Sequence, residues 1–392
     1  MNPEMPDITP NLAALAKQGV YFSSAFSPAP VCAPSRACLA SGRAYEGCGV
    51  ASNGQTYPLT KTTFYTLLRN AGYAVLGCGK FDLDKPGKNW GYDGKHQRPG
   101  KPSLLEAWGF TDGIDNAGKM DGVNAYKSRK APEPYFAMLE SRNLVDAHIR
   151  NFKTLDHDYP GPSLMPNDAY CDNWIANNGL NLIRSVPRGK PWFIQINFNG
   201  PHPPMDVTKS MYEKLKDTPF PPARAGKGDD KPGKRRNYGA MIDNIDRWLG
   251  VFLDTLDETG LADHTAVVLT ADHGTNIGER GRFGKGYPVR EGEARTPFIV
   301  RTPDGGAGRS DIIVQPQDLF ATVMGIAGLP TPAGLDSHNV LEIAQKGGSG
   351  PRQLALAGQV ASERWAKPDH VCCTVFDGEW YLEITPKPEN MA

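Results

Sequence analysis

No apolar run in this chain approaches the roughly 18 residues of a membrane-spanning helix, and Met1 opens onto Asn2, Pro3 and Glu4 rather than a basic and apolar leader. As written, the chain has no export address and reads as cytoplasmic; a periplasmic or secreted location stays open if the natural start lies upstream. Net charge is missing too. The 43 basic residues balance the 43 acidic ones and the pI is near 7.1, so no chain-wide field draws the protein to nucleic acid or a membrane surface. Cysteine is sparse: the seven, at 32, 38, 48, 78, 171, 372 and 373, are odd in number and form no paired CxxC spacing. That argues against a zinc knuckle or a dense disulfide framework and for reduced thiols. What is abundant is Gly and Pro, about a fifth of the 392 residues, which predicts many shaped loops around a scaffold. A chain of this length exceeds one typical domain, and the expected division is a large α/β domain over 1–330 and a small C-terminal unit over 331–392.

The stretch from Val31 to Arg43 carries the chemistry. Pro34 suits the first turn of a helix, where its missing N–H costs nothing, so Cys32 is expected in the loop that enters the helix, facing unpaired amides. A helix N-terminus favours an anion by about 0.3 to 1 kcal/mol, and Arg36 and Arg43 add positive charge. A nucleophile attacking an anionic group belongs in such a place; so, more blandly, does a buried Cys before an ordinary helix.

Cys32, Pro34, Ser35, Arg36, Leu39, Gly42 and Arg43 stand at the seven fixed positions of a twelve-residue pattern, and this pattern resembles the signature of the sulfatases of the alkaline phosphatase superfamily. The resemblance implies an alkaline phosphatase-like α/β sandwich with a mostly parallel central sheet and a small C-terminal antiparallel α+β subdomain. It implies that Cys32 is oxidised by a formylglycine-generating enzyme to formylglycine, whose hydrated aldehyde carries two geminal hydroxyls beside a divalent metal. Three further elements match. Gly79-Lys80 resembles the family's Gly-Lys-Trp-His element, with Lys80 as the sulfate contact. Pro201-His202-Pro203-Pro204 resembles its Pro-His-x-Pro element, with His202 in the substrate pocket. Asp272-His273-Gly274 followed by Gly284-Lys285 resembles its Asp-His-Gly and Gly-Lys pair, making Asp272 and His273 metal ligands with residue 32, and Lys285 a second sulfate contact.

The implied reaction is the hydrolysis of a small-molecule or saccharide sulfate ester. One hydroxyl at position 32 attacks sulfur and displaces the alcohol; the other then loses a proton, the aldehyde reforms and sulfate leaves. Lys80, Lys285 and Arg36 would neutralise the transferring group and His202 would serve as proton donor. Calcium or magnesium suits carboxylate oxygens.

Two departures stand out. Asp82 occupies the family's His position, and a carboxylate ~6 Å from a sulfate ester repels it by about 2 to 3 kcal/mol at an effective dielectric near 20. Either Asp82 pairs with Lys80, or it turns outward, or the pocket takes another substrate. Second, the family's first strand ends in two adjacent Asp that bind metal, and neither Glu4 nor Asp7 follows an apolar strand. The expectations that follow are weak metal binding, low activity and a tendency to aggregate for the chain as written. The rival readings are a phosphonate monoester or phosphodiester hydrolase with the same nucleophile, and a truncated or degenerate homologue without activity.

Elsewhere, helical spacing predicts helices after Thr9, over 63–70, after Asn167 or Asp168, over Tyr238 to Leu256, over 318–324 and near 340–345. Strands are expected at Val20–Phe22, Ala74–Leu76, Trp192–Phe198 (alternating), Thr265–Thr270 (buried on both faces), Arg295–Arg301, Val371–Phe376 and Trp380–Ile384, with Asp377-Gly378 as a hairpin turn. Residues 90–168 read as an irregular, substrate-shaping insertion, and 223–236 as a mobile basic loop.

Overall fold

Strand β2 (Ala74–Gly79) is an apolar run buried at every position, and it forms the middle of a three-stranded parallel sheet between β3 (Asp112–Asp115) and β4 (Trp192–Asn197). The computed structural model describes residues 5–87, 104–128, 132–154, 161–223, 231–286, 289–347, 349–360 and 371–384. A second sheet has the order β5 (Val267–Thr270), β8 (Phe298–Arg301), β1 (Val20–Ala25), β9 (Gly308–Val314), in which β1 and β9 are parallel and β8 runs against both β1 and β5. A two-residue ladder joins β6 (Asn276–Ile277) to β7 (Phe283–Gly284). A small antiparallel sheet, β10 (Ala355–Val360), β11 (Val371–Phe376) and β12 (Tyr381–Ile384), closes the chain.

Helices cover both faces of the main sheets. On one side Leu180, Trp248, Phe252 and Leu256 from the Cys171–Arg184 and Pro232–Glu258 helices form a core with Leu76, against which Ile194, Ile196 and Val267 pack. On the other, Phe64, Tyr65, Phe110 and Phe320 receive Phe193 and Val268. β4 and β5 therefore lie beneath the same two layers. Neither makes a ladder with the other, and every residue in both is half-buried. This corrects the expectation that 265–270 is buried on both faces and that Trp192–Phe198 alternates: among the described residues each strand has a ladder partner on one side only, and its side chains are half-buried rather than enclosed.

Several sequence expectations need local correction. The insertion is not irregular: its described residues hold four helices, Leu104–Ala107, Lys119–Ser128, Pro134–Ser141 and Val145–Thr154, and the strand β3; residues 90–103, 129–131 and 155–160 lie outside the description. Asn167 and Asp168 do not cap the next helix, which starts at Cys171 after Tyr170 with no side-chain cap. Asn167 instead accepts from the Thr208 and Ser210 hydroxyls, and Asp168 pairs with Arg142. The long helix begins at Pro232, inside the expected basic loop, of which 224–230 lie outside the description. β10 was not expected at all. The Asp377-Gly378 turn is as read: Asp377 Oδ1 accepts from the amides of Glu379 and Trp380 at 2.9 and 2.8 Å. The inner face of the small sheet, Ala355, Ala357 and Phe376, packs on Phe26, Val289, Ala294 and Ile313. Among the described residues no helix is long and apolar enough to cross a membrane, and six cysteines are free thiols.

Candidate active site

The Cys32–Ser41 helix is buried at nine of its ten positions. Cys32 is its first residue rather than part of the preceding loop, and its entry amides are not all unpaired: Asn53 Oδ1 accepts from the Ala33 amide at 3.0 Å. Arg36 lies one turn on, on the same face. Its Nε donates to Asp272 Oδ2 at 2.9 Å and its terminal nitrogen donates to the Lys80 carbonyl, so one guanidinium joins the helix to the ends of β5 and β2. The hydroxyls of Ser27 and Ser35 both donate to the Asp272 carbonyl at 2.6 Å.

The ends of three strands converge on Cys32 Sγ. Gly79, the last residue of β2, has φ +95, and a Cβ there would lie 2.0 Å from the Asn197 carbonyl, so only glycine lets β2 leave the sheet beside β4. That turn delivers Lys80, whose Nζ is 3.5 Å from Sγ. β5 delivers Asp272 and His273, with His273 Nε2 3.3 Å from Sγ. The β6–β7 ladder delivers Lys285, whose Nζ is 2.9 Å from Sγ and 2.8 Å from His273 Nε2. His273 Nδ1 lies 2.8 Å from the Gly274 carbonyl, which acts only as an acceptor. Nδ1 therefore carries a ring proton, and this bond turns Nε2 toward Cys32 Sγ and Lys285 Nζ. His202, beyond β4, acts on the Cys32 side chain, and its Nδ1 lies 2.6 Å from the Pro203 carbonyl. Cys32, Arg36, Lys80, His202, Asp272, His273 and Lys285 thus meet at one place; Arg43, expected to add positive charge there, does not, because it follows the far end of the Cys32–Ser41 helix and donates to the Gly334 carbonyl.

Charge sets the state of these groups. Burial pushes the Cys32 thiol up, but the ammoniums of Lys285 and Lys80, then His273 and His202, outweigh it, and the thiol lies well below its ordinary range. The site is thus built to hold an anion where Sγ stands. In the unmodified chain Sγ occupies the position of the hydroxyl oxygens that formylglycine would carry. Burial likewise opposes ionisation of Asp272, and Arg36, followed by His273, overcomes it. His202 is held below its usual value, first by burial.

Asp82 pairs; it does not turn outward. Its Oδ2 lies 3.1 Å from Lys80 Nζ and 3.2 Å from Lys85 Nζ, and Lys85 continues to Asp121 at 3.0 Å. Lys85 was not read as a site residue; its signal was the i,i+3 spacing from Asp82. Glu293 was missed as well. It is fully buried, and its carboxylate accepts from the amides of Gly286 at 2.7 Å and Arg290 at 2.9 Å, while its carbonyl accepts from the Gly274 amide at 2.7 Å. It thereby ties the Lys285 segment to the Asp272-His273 segment.

As cation donors, Cys32, Asp272 and His273 present ligand atoms all within 4.8 Å of one another, the sole such group among the described residues. A carboxylate, an imidazole and an oxygen at position 32 fit one side of a divalent-metal site. Asp7 does not join them, and Glu4 lies outside the described residues.

The Sulfatase family model matches residues 2–329, and the chain belongs to this family, whose members hydrolyse sulfate esters and usually use formylglycine and a metal ion. It is 24% identical over 372 residues to an arylsulfatase of Clostridium perfringens, covering 86% of this chain and 73% of that protein. Among solved structures, one determined in complex with its substrate D-glucosamine-2-N,6-O-disulfate superposes with a TM-score of 0.70 at 17% identity, covering 96% of this chain and 83% of the other. A phosphonate monoester hydrolase from Silicibacter pomeroyi gives 0.74 at 19% identity, covering 99% and 85%. The fold is that of the sulfatases, with a mostly parallel main sheet and a small antiparallel C-terminal sheet.

Proposed function

We propose that the chain hydrolyses the sulfate ester of a saccharide or another small alcohol at position 32, after a formylglycine-generating enzyme has converted Cys32 to formylglycine. The observation that carries this reading is the set of two ammoniums and two imidazoles around Cys32 Sγ, with Lys285 at 2.9 Å, His273 at 3.3 Å and Lys80 at 3.5 Å. Formylglycine supplies the nucleophilic hydroxyl, and a bound calcium or magnesium ion, held by Asp272, His273 and residue 32, would favour its ionised form. The protein's own residues do the rest. Lys80 and Lys285 hold the sulfate oxygens and neutralise charge as the S–O bond breaks. Arg36 fixes Asp272 and the Lys80 carbonyl. His202 stands where it exchanges a proton with the leaving oxygen.

Phosphonate monoester hydrolysis is the second reading, supported by the fold likeness to the Silicibacter enzyme. The pairing of Asp82 removes the strongest objection to sulfate, because two ammoniums neutralise that carboxylate. The test is made on chain expressed with a formylglycine-generating enzyme. Peptide mass should show Cys32 converted, and kcat/KM should be higher for aryl and saccharide sulfates than for phenylphosphonate monoesters. A higher value for the phosphonate would select the second reading, and a Cys32→Ala variant with full activity would remove both.

A further inference from the structure

Asp82 sits at φ 53, in the left-handed region that, among residues with a Cβ, Asn and Asp enter most readily. Its side chain is 4% exposed, and the single oxygen Oδ2 takes two ammoniums, Lys80 at 3.1 Å and Lys85 at 3.2 Å. Lys80 reaches on to Cys32 Sγ at 3.5 Å. Lys85 reaches the other way, to Asp121, whose side chain is 39% exposed. The ionic chain thus runs from the reaction centre to solvent, with Asp82 between two lysines. A buried carboxylate with Lys80 as its sole partner would compete with any substrate anion for that ammonium, and would repel the anion besides.

We propose that Asp82 and Lys85 act as one neutral unit: Asp82 is the positioning residue that holds the Lys80 ammonium against the nucleophile, and Lys85 is the counter-charge that leaves Lys80 available to sulfate. This rests on the functional reading above, in which Lys80 touches sulfate. The two residues then have opposite effects on anion affinity. Removing Lys85 leaves Asp82 to claim Lys80, removing Asp82 frees Lys80 of its carboxylate while Lys85 keeps only Asp121, and removing both restores the balance.

Inorganic sulfate titrated calorimetrically into the full chain carrying Cys32→Ala, which removes the competing thiolate, tests this. Relative to that parent, Lys85→Met should weaken sulfate about tenfold, Asp82→Asn should tighten it severalfold, and the double variant should return to within about threefold. In the formylglycine form, Lys85→Met should raise KM for 4-nitrophenyl sulfate more than it lowers kcat, and the double variant should reverse that rise. A purely structural role moves all three variants the same way, toward lower melting temperature and weaker binding, and that result overturns the proposal; so does Lys85→Met with parental affinity. Should Lys85→Met fail to fold, the sign of the Asp82→Asn change decides. Lys80→Ala in the same background separates the two claims. If it binds sulfate as the parent does, the functional reading of Lys80 fails and the pair's role with it; if it binds weakly while Lys85→Met does not, only the pair's role fails.

Discussion

Lys80 and Lys285 reach the same sulfur from different strand ends, and they differ in what else holds them. Lys285 is fixed by His273 and by the segment that Glu293 closes, whereas Lys80 shares a buried carboxylate with Lys85. Replacing either by Ala should lower kcat/KM by at least about 100-fold, or about 2.7 kcal/mol of transition-state stabilisation. The melting temperature should change little, because Asp82 keeps Lys85 when Lys80 is removed and the Glu293 bonds to Gly286 and Arg290 survive loss of Lys285. Kinetics and thermal melts on the two variants check this together. Stability lost with specific activity kept would make both lysines structural and move the anion site elsewhere.

At the level of elements, the Pro134–Ser141 helix has an unusual cap. Glu133 accepts from the amides of Tyr135 at 3.1 Å and Phe136 at 3.0 Å while fully buried. Burial pushes its carboxyl up from 4.5 to about 7, against those amides, which favour the charged form. The native chain therefore holds a proton that the unfolded chain has released between pH 4.5 and about 7. Stability must fall as pH rises through that window, by about 3 kcal/mol at most for this group. Glu133→Gln keeps an acceptor and cannot ionise, so its melting temperature should fall less than wild type between pH 5 and 8. Parallel curves would show that the proton is not held there. The same helix belongs to the region that sequence patterning left irregular. β3 reads Asp112-Gly113-Ile114-Asp115, a strand with no apolar alternation. It forms because β2 offers it a parallel ladder, and a partner distant in sequence leaves no local signal.

The whole molecule decides how a metal can bind. Cys32, Asp272 and His273 face one point, but Asp272 is already shared with Arg36, and the Lys285 ammonium lies 2.8 Å from His273 Nε2 and 2.9 Å from Cys32 Sγ. A divalent ion must displace that ammonium, and it gains three protein donors from the described residues where calcium takes about six to eight oxygen ligands. Calcium titrated into this 392-residue chain should therefore bind weakly. Stoichiometric, micromolar binding abolished by Asp272→Asn would show that a further carboxylate completes the site.

The sequence by itself determined the family, the nucleophile with the six residues around it, and half of the α-helices among the described residues. These depend on short-range spacing: Arg36 one helical turn after Cys32, Asp272 and His273 adjacent at a strand end, Lys80 directly after a glycine that must turn. Periodicity also found the long helix through Trp248 and Phe252, because its apolar stripe repeats within the helix itself. What only the tertiary structure decided was the partner of each charge. Asp82 had three possible fates in the sequence, and the choice came from where β2 leaves the sheet and from Lys85 folding back onto the same oxygen. Glu293 looked like one acid among many until the chain brought Gly274, Gly286 and Arg290 around it. The half-buried edges of β4 and β5 were equally invisible, since an apolar strand reads the same whether it has one neighbour or two. Pairing across a fold depends on distances between segments, and a linear pattern does not contain them.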